Sequence, residues 1–310
     1  MIRKENFYGT EKYILLSDTL EVSTMKLGAT CLSIKVNSRE VILGFDTLEG
    51  YKTDPCHIGV IVGRYGNRIA KARGMIDGKE ITLEANENGN QLHGGPKGFD
   101  KQEWTVAYFR ENENGGSIRY EYFSPDGENG YPGNLHAAVI YTVNGSKLTM
   151  EFEGISDADT FFAPTTHMYF NLSGRDTVLE TAVKINSQNY LEVDDELIPT
   201  SVKQANGDFD FRCFRPIHQA YDHCFIIDKD TKDNAFEAKG DGINLVLNTD
   251  YPALQFYTGK KLKPPHHAFQ GFAIEPEAYP DSPNRPDFPS SVLRAGEKYH
   301  RQIVYSFSSI

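Results

Sequence analysis

The stretch from residue 137 to residue 152 reads Ala-Ala-Val-Ile-Tyr-Thr-Val-Asn-Gly-Ser-Lys-Leu-Thr-Met-Glu-Phe, and its pattern decides the fold class. Two runs rich in β-branched, aromatic and other apolar residues flank Asn144-Gly145. Such runs are typical of β-strands, and Asn-Gly favours the positive φ angles that a type I′ hairpin turn requires at both central positions. The stretch therefore predicts an antiparallel hairpin that turns at Asn144 and Gly145.

The same local pattern recurs through the rest of the chain. Apolar and polar residues alternate with period 2 at Leu20–Leu27 and Ala29–Val36, and a second hairpin pattern surrounds Asp77-Gly78. Shorter strand-like runs lie at residues 117–123, 182–185, 243–247, 253–257 and 302–307. No window has the sustained 3.6-residue apolar stripe of an amphipathic helix. We therefore predict an all-β fold, a large antiparallel β-sandwich with little helix. Because neither a repeat nor a linker divides the chain, we expect a single domain over residues 1–310.

Length and composition fit a globular protein with a sizeable core. The chain has 310 residues, of which 39% are hydrophobic, with 17 Tyr and 19 Phe. The formal net charge of −11, without a basic run, disfavours nucleic acid and anionic membranes as partners. It also disfavours strongly anionic substrates, unless a local basic pocket offsets it. The chain starts without an apolar leader, lacks the ~20 apolar residues that span a bilayer, and has four cysteines without C-x-x-C spacing. These features predict a cytoplasmic protein with free thiols.

Two polar residues in apolar surroundings are the candidates for acid–base chemistry. His167 lies within the aromatic run Thr165–Gly174, and Glu275 follows the apolar residues of Gly271–Glu277. An imidazole titrates near neutral pH, and a carboxylate that follows a strand is well placed to accept a proton. Taken alone, His167 is more simply interpreted as a core imidazole bonded to backbone. Its combination with Glu275 favours a proton donor on a rigid strand that faces a cleft.

A glycine-rich segment at residues 61–70 carries polar groups that suit a ligand with many hydroxyls. Arg64, Asn67 and Arg68 lie in this segment. A guanidinium can hold sugar hydroxyls or orient a carboxylate, and the alternative for each arginine is an ion pair that bridges sheets. His93 precedes two glycines that allow a close backbone approach to a ligand, although a turn explains these glycines equally well.

Two later strands also contain polar residues that do not suit a plain core. Asp222 lies between aromatic residues, and Gln255 interrupts an apolar run. Carboxylates and amides bind sugar hydroxyls, while aromatic faces bind the C–H side of the ring. The long connections at residues 194–210 and 260–270 lead into strands, and loops of this length are often functional.

The candidate motifs occur as an ordered set. They are Gly63-Arg-Tyr-Gly-Asn-Arg-Ile-Ala-Lys71, Leu92-His-Gly-Gly95 with Gly98-Phe-Asp100, Asp126-Gly-Glu-Asn-Gly-Tyr-Pro-Gly-Asn-Leu135, His167-Met-Tyr-Phe-Asn-Leu-Ser-Gly174, Tyr221-Asp-His223, Gln255-Phe-Tyr-Thr-Gly259, and Glu275 followed by Tyr279-Pro-Asp281. In this order, and over nearly the whole chain, they resemble the aldose 1-epimerase (galactose mutarotase) family.

The resemblance implies a fold, a reaction and a set of site residues. The fold would be the galactose mutarotase-like supersandwich, which binds a hexose in an open cleft. The reaction would interconvert the α and β anomers of free aldohexoses such as galactose or glucose. His167 would be the general acid and Glu275 the general base. The implied sugar-binding residues are Arg68, His93, Asp222 and Gln255, with Asn67 a weaker candidate. We expect no metal and no cofactor, a small monosaccharide as the partner, neither nucleic acid nor membrane binding, and a monomer or homodimer.

One position departs from the family pattern. The family usually has an asparagine immediately before the acidic histidine, and this chain has Thr166. A hydroxyl replaces only part of the amide's hydrogen bonding, so the imidazole is less firmly oriented. His167 must be protonated when it donates, and we expect nearby acids such as Asp222 to favour that form. His223 and Glu277 lie near motif positions and receive no chemical role.

Four other functions compete with this interpretation. Asp222 and Glu275 are the carboxylate pair that a glycoside hydrolase would use, although that reaction leaves the histidines without a role. A metal site built from His57, His93, His167 and His223 lacks any pair with i, i+2 or i, i+4 spacing. The remaining alternatives are a non-catalytic sugar-binding module and a relative acting on a hexose 6-phosphate. A basic cluster beside the site would mark the latter.

Overall fold

The computed structural model describes residues 1–309, and its regular structure is almost entirely antiparallel β-strand. In chain order the strands are β1 (Ile2–Phe7), β2 (Thr10–Leu16), β3 (Leu20–Met25), β4 (Cys31–Val36), β5 (Arg39–Glu40), β6 (Ile61–Val62), β7 (Arg68–Ile69), β8 (Arg73–Ile76), β9 (Lys79–Thr82), β10 (Gln91–Leu92), β11 (Thr105–Asn112), β12 (Gly115–Ser124), β13 (Leu135–Asn144), β14 (Lys147–Ser156), β15 (Thr160–Phe161), β16 (Thr165–Thr166), β17 (Tyr169–Phe170), β18 (Ala182–Ile185), β19 (Asn189–Val193), β20 (Pro199–Gln204), β21 (Arg215–Pro216), β22 (Asp222–Ile226), β23 (Phe236–Lys239), β24 (Ile243–Thr249), β25 (Ala253–Tyr257), β26 (Phe272–Glu277), β27 (Val292–Leu293) and β28 (Lys298–Ser309). Within residues 1–309 the α-helical structure is the six-residue α1 (Leu48–Thr53). Short 3₁₀ turns lie at Ala70–Ala72, Phe99–Lys101, Glu128–Gly130, Gly207–Phe209 and Ser282–Asn284.

Three sheets account for most of the strands. The nine-stranded sheet has the order β11-β12-β13-β14-β28-β24-β23-β18-β21, and the six-stranded sheet has the order β17-β26-β25-β22-β19-β20. The first five strands form a sheet in sequence order, and the remaining strands pair as β10-β7, β15-β27, β16-β6 and β8-β9. This is the large antiparallel β-sandwich with little helix that the sequence predicts.

The main hydrophobic core lies between the sheets. Aromatic rings cross from the nine-stranded to the six-stranded sheet: Tyr305 lies 5.5 Å from Phe170, and Phe236 lies 6.0 Å from Phe272. The five-stranded sheet joins the same core through Tyr13. Apolar burial of this kind, at about 25 cal/mol per Å², is the main stabilising contribution in a sandwich of two sheets.

Most of the predicted strands are confirmed, some of them to the residue. Ala182–Ile185 and Ala253–Tyr257 are the observed bounds of β18 and β25. The hairpin at Asp77-Gly78 is also confirmed, with both residues at positive φ (49° and 81°). The turn after β13 differs from the prediction. Asn144 pairs with Lys147, so the central turn residues are Gly145 and Ser146, and of these Gly145 has a positive φ of 58°. A glycine alone at the first central position is typical of a type II′ turn, not type I′.

The predicted strand through His167 is interrupted at that residue. Thr165–Thr166 pairs with β6, Tyr169–Phe170 pairs with β26, and His167 lies between these two short strands. The backbone there is still fixed, because the His167 N–H donates to the Val60 carbonyl and the His167 carbonyl accepts from the Gly59 N–H, both at 3.0 Å. The chain changes its pairing partner at this point, which a local pattern cannot reveal.

The connection predicted at residues 194–210 is only partly a loop, since it contains β20 and a 3₁₀ turn. No helix within residues 1–309 has the length and apolar character needed to cross a membrane.

Along the strands of the six-stranded sheet, side chains alternate between two faces, and one of these faces is polar. Phe272 and Ile274 of β26 belong to the core, so Glu275 and Glu277 face the opposite side. Gln255 of β25 lies opposite Glu275 in the register of the two strands. One face of this sheet is therefore apolar and packs on the core, and its other face carries buried polar groups.

Candidate active site

A cavity of about 250 Å³ lies over the polar face of the six-stranded sheet. At roughly 30 Å³ per water molecule, it has the volume of about eight waters, which is enough for one monosaccharide. All seven site residues predicted from the sequence line this cavity: Asn67, Arg68, His93, His167, Asp222, Gln255 and Glu275. The fold thus brings together residues that are separated by more than two hundred positions.

His167 and Glu275 face each other at the base of the cavity. The His167 Nε2 atom lies 3.6 Å from the Glu275 Oε1 atom, and the residues are only 5% and 2% exposed. The other Glu275 oxygen and His167 Nδ1 are buried without a hydrogen-bond partner among residues 1–309. These two atoms are closed off from the cavity, so a ligand can meet the pair only through Nε2 and Oε1.

Burial determines the proton positions of this pair. It raises the pKa of Glu275 well above 4.5, and the Asp222 carboxylate raises it further. Burial also lowers the pKa of His167 from 6.5 to about 3, and the charge of His57 contributes to this decrease. Without ligand, therefore, the imidazole is neutral, and a proton shared by the pair rests on the carboxyl rather than on the imidazole. We expected Asp222 to favour the protonated form of His167, and this is not found. Burial outweighs the nearby charges, and the acid that opposes the decrease in the pKa of His167 is Asp100.

Asn67 fixes the tautomer of His93. The Asn67 backbone N–H donates to His93 Nδ1 at 3.1 Å, and the His93 backbone N–H donates to the Asn67 carbonyl at the same distance. Burial lowers the pKa of His93 well below 6.5, so the ring is neutral. Because Nδ1 accepts a hydrogen bond, Nε2 must carry the hydrogen of the neutral ring. His93 therefore presents an N–H donor. Both residues have positive φ, 65° and 51°, and the Asn67 amide donates to Glu277 at 3.0 Å.

The two arginines of the glycine-rich segment have different surroundings. Arg68 lines the cavity and donates from Nε and one terminal nitrogen to the two oxygens of Glu87, at 2.6 and 3.0 Å. Arg64 is 2% exposed and donates to the carbonyls of Ser124 and Gly133, at 2.8 and 2.9 Å, among others. Arg64 is therefore structural, and it satisfies buried carbonyls rather than forming an ion pair.

Asp222 and Gln255 form a polar pair on the same sheet face. The Gln255 side-chain amide donates to Asp222 Oδ1 at 2.7 Å. This bond orients the amide so that its oxygen stays free, and the second Asp222 oxygen remains an acceptor. The rings of Tyr169 and Tyr257, whose centroids are 6.0 Å apart, line the cavity beside them and offer apolar surface to a sugar ring.

Several lining residues were missed in the sequence. Glu87, which orients Arg68, and Tyr169 carry no pattern that separates them from surface or core positions. His57 also lines the cavity, although the sequence points to it only as a metal ligand. Lys261 and Lys263, from the predicted connection at residues 260–270, lie at the cavity as well.

The structure gives the metal-site alternative more support than residue spacing does. His93, His167 and Glu275 offer ligand atoms within 4.8 Å of one another, and the His57 ring centroid lies 4.9 Å from that of His93. His223 packs against Phe209 instead, with ring centroids 4.7 Å apart. The donor chemistry is less favourable, because His93 Nε2 carries hydrogen and a metal ligand needs a lone pair. Binding a metal there would require breaking the bond from Asn67.

Comparisons with known proteins identify the family. The family model for aldose 1-epimerase matches residues 12–306, so the chain belongs to the aldose 1-epimerase family. It is 37% identical to a galactose mutarotase of Bos taurus, over 96% of this chain and 94% of the relative. It is 36% identical to an aldose 1-epimerase of Haemophilus influenzae, over 93% and 92% of the two chains. The crystal structure of a GalM/aldose epimerase homologue from C. elegans superimposes with a TM-score of 0.90 at 30% identity, covering 96% of this chain and 98% of that one.

Proposed function

We propose that this chain is an isomerase that interconverts the α and β anomers of a free aldose, with His167 and Glu275 as the proton-transferring residues. The observation that carries the proposal is the 3.6 Å approach of His167 Nε2 to Glu275 Oε1, buried at the base of a cavity of monosaccharide size. The family membership of the chain supports the same reaction.

The reaction needs one proton acceptor and one proton donor. Glu275 takes the proton of the C1 hydroxyl while His167 gives a proton to the ring oxygen. The C1–O5 bond then breaks and the carbonyl forms at C1. Rotation about C1–C2 presents the other carbonyl face, and closure returns both protons by the reverse transfers. The pair holds one proton in total throughout, so no outside acid or base is consumed.

The proton positions of the empty site match one stage of this sequence. After ring opening, the carboxyl carries the proton and the imidazole is neutral. The same arrangement follows from the raised pKa of Glu275 and the lowered pKa of His167. Opening a cyclic sugar first requires the proton to shift from the carboxyl to the imidazole. The 3.6 Å between His167 Nε2 and Glu275 Oε1 allows such a shift, and the C1 hydroxyl favours it by donating a hydrogen bond to the ionised carboxylate.

Four residues hold the sugar in this proposal, and a fifth positions one of them. His93 donates through Nε2, Arg68 donates through the guanidinium nitrogen that Glu87 leaves free, and Asp222 accepts hydroxyl protons. Gln255 offers its amide oxygen, and Asn67 acts mainly by fixing His93. These groups orient the ring so that O1 and O5 reach the acid–base pair, which is the entropic part of catalysis.

Each positioned acid or base contributes about 10²–10⁴ in rate. Two that act independently would give about 10⁴–10⁸, or about 5–11 kcal/mol of barrier reduction.

The decisive experiment is polarimetry on freshly dissolved α-galactose and α-glucose. We expect the wild-type protein to equilibrate at least one sugar far faster than buffer, and His167→Asn to lose at least about 100-fold in kcat. A wild-type rate equal to that of buffer would overturn the proposed activity. Normal turnover by His167→Asn would overturn the role of His167 while leaving the activity in place.

Two further measurements separate the competing functions. Release of reducing sugar from an oligosaccharide would support a hydrolase that uses Asp222 and Glu275. Lys261 and Lys263 could bind a phosphate group through their positive charges, so we would also test hexose 6-phosphates by polarimetry. The names of the relatives favour the free sugar, and we expect the phosphorylated one to react more slowly. A monomeric or homodimeric state, the cytoplasmic location and the single-domain organisation stay predictions.

A further inference from the structure

The mechanism above gives no role to His57, although its position is tightly built. His57 lies in the loop between α1 and β6 with a positive φ of 58°. The Asp54 carboxylate fixes this loop, because it accepts from the backbone N–H groups of Cys56 and Ile58 at 2.8 and 2.6 Å. A non-glycine residue in this conformation persists where its surroundings determine it, and such positions concentrate at functional sites.

A buried carboxylate orients the His57 ring. His57 Nδ1 lies 3.1 Å from Asp100 Oδ2, and the Asp100 side chain is only 3% exposed. Burial alone would raise the pKa of Asp100, but the hydrogen bond from His57 and the charges of His57 and Lys101 lower it. Asp100 is therefore a carboxylate, so Nδ1 carries the hydrogen and donates.

The remaining nitrogen of His57 is left for a ligand. Its ring lines the cavity, with its centroid 4.9 Å from that of His93 and 5.9 Å from that of His167. Nε2 makes no hydrogen bond to any of residues 1–309, and the side chain is 20% exposed. The ring is fixed through Nδ1, and its Nε2 has no partner. Because it lies beside two proposed site residues, His93 and His167, this nitrogen is suited to binding a sugar hydroxyl.

We propose that His57 is a further sugar-binding residue that contacts one non-reacting hydroxyl through Nε2, with Asp100 as its positioning residue. This inference rests on the proposed mutarotase function and extends the set of groups that choose the substrate. It also gives a role to the Gly98-Phe99-Asp100 segment, since the 3₁₀ turn Phe99–Lys101 places the Asp100 carboxylate against Nδ1 of the His57 ring.

Deoxygenated sugars test which hydroxyl His57 contacts. We would measure kcat/KM by polarimetry for galactose and for its 2-, 3-, 4- and 6-deoxy forms, with wild type, His57→Phe and His57→Asn. Phe keeps the ring without a hydrogen bond, and Asn tolerates the positive φ angle. We expect both variants to lose about 10-fold on galactose and on three deoxy sugars. For the fourth deoxy sugar, which lacks the contacted hydroxyl, the variants and the wild type should have the same kcat/KM.

A surface histidine provides the matched control. His267 Nε2 lies 3.0 Å from Asp176 Oδ1, but this pair is 46% and 90% exposed. His267→Phe should leave every rate unchanged. Equal losses of the His57 variants on all five sugars would show a merely structural role, and unchanged rates would show no contact. Either result overturns the inference, while the wild-type rate alone decides the proposed function.

Asp100→Asn tests the positioning role. We expect it to reproduce the discrimination pattern of His57→Asn, with a loss of about 10-fold or less. The double variant His57→Asn/Asp100→Asn should be no worse than His57→Asn, because Asp100 acts through His57. Additive losses, or a loss that is uniform across the deoxy sugars, would contradict this role for Asp100.

Discussion

The nine-stranded and the six-stranded sheets pack against one core but use their second faces differently. The outer face of the nine-stranded sheet carries a groove of about 720 Å³, nearly three times the size of the cavity on the six-stranded sheet. Its charged groups are partly solvated: Arg119 donates to Glu153 at 2.8 Å, with the side chains 24% and 41% exposed. On the six-stranded sheet, Glu275 and Glu277 are 2% and 1% exposed.

The buried ionisable groups favour the six-stranded sheet as the reactive face, although its cavity is the smaller one. A solvated ion pair such as Arg119 with Glu153 contributes little to stability. A carboxyl group removed from water changes its pKa and can exchange a proton near neutral pH. The smaller cavity therefore has the chemistry of a catalytic site, and the larger groove has that of an ordinary surface.

The largest effect is expected when one carboxylate on each sheet is replaced by an amide. Glu275→Gln should lower kcat by about 10²–10⁴, because the amide cannot accept the C1 hydroxyl proton. The matched control is Glu153→Gln in the large groove, for which we expect unchanged kcat and KM. Polarimetry gives both values, and circular dichroism verifies the fold. Near-normal turnover by Glu275→Gln would remove the contrast between the sheets.

The pH profile tests the influence of burial on the acid–base pair. A doubly protonated pair has no proton acceptor, so activity should fall only as pH drops toward the pKa of His167, about 3. An ordinary pair, with a carboxylate of pKa about 4.3 and a histidine of pKa about 6.5, would instead lose activity already below about pH 4.3, where both groups are protonated. On the alkaline side, activity should fall as Glu275 loses its proton, well above pH 4.5. An acid limb at about pH 4.3 or above in kcat/KM would contradict the assigned proton positions.

The two arginines of the segment at residues 61–70 separate stability from binding. Arg64→Lys leaves several buried carbonyls without donors, so we expect a loss of about 2–5 kcal/mol in the free energy of unfolding by denaturant titration. The kinetic constants of the folded fraction should not change. Arg68→Lys should raise KM about 10-fold and change stability by less than about 1 kcal/mol. The reverse pattern would mean that Arg64 is the group that faces the sugar.

The smallest effect is expected at Thr166, the position that departs from the family pattern. Its hydroxyl is buried without a partner among residues 1–309, so it does not orient His167. Thr166→Val should raise the free energy of unfolding by up to about 1 kcal/mol, because it removes an unsatisfied polar group. We expect kcat to change by less than about twofold. A tenfold decrease in kcat would show that the hydroxyl does position the imidazole.

Sequence patterns predicted strands well where pairing and burial repeat locally. The bounds of β18 and β25 followed from short apolar runs, and the hairpin at Asp77-Gly78 was located correctly. The turn at Gly145-Ser146 was misplaced by one residue, because the register of the long strands β13 and β14 sets where a turn falls. The break at His167 was also missed, since the chain there exchanges β6 for β26 as its neighbour.

The site residues divide in a similar way. Residue identity and family resemblance indicated seven of the residues that line the cavity, but not their protonation states or hydrogen-bond partners. The spacing rule dismissed a histidine cluster that the fold nevertheless assembles from three separate segments. The role of Asp100 was hidden because its partner, His57, lies 43 positions away along the chain.

The amino-acid sequence by itself determined the period-2 strands, the all-β class and the chemical groups available to a sugar, because these depend on residue type and local order. Tertiary structure alone decided which arginine binds carbonyls, which nitrogen of His93 carries hydrogen, and where the proton shared by His167 and Glu275 rests. Those properties depend on the loss of water and on hydrogen bonds from distant segments, and neither exists until the sheets have packed.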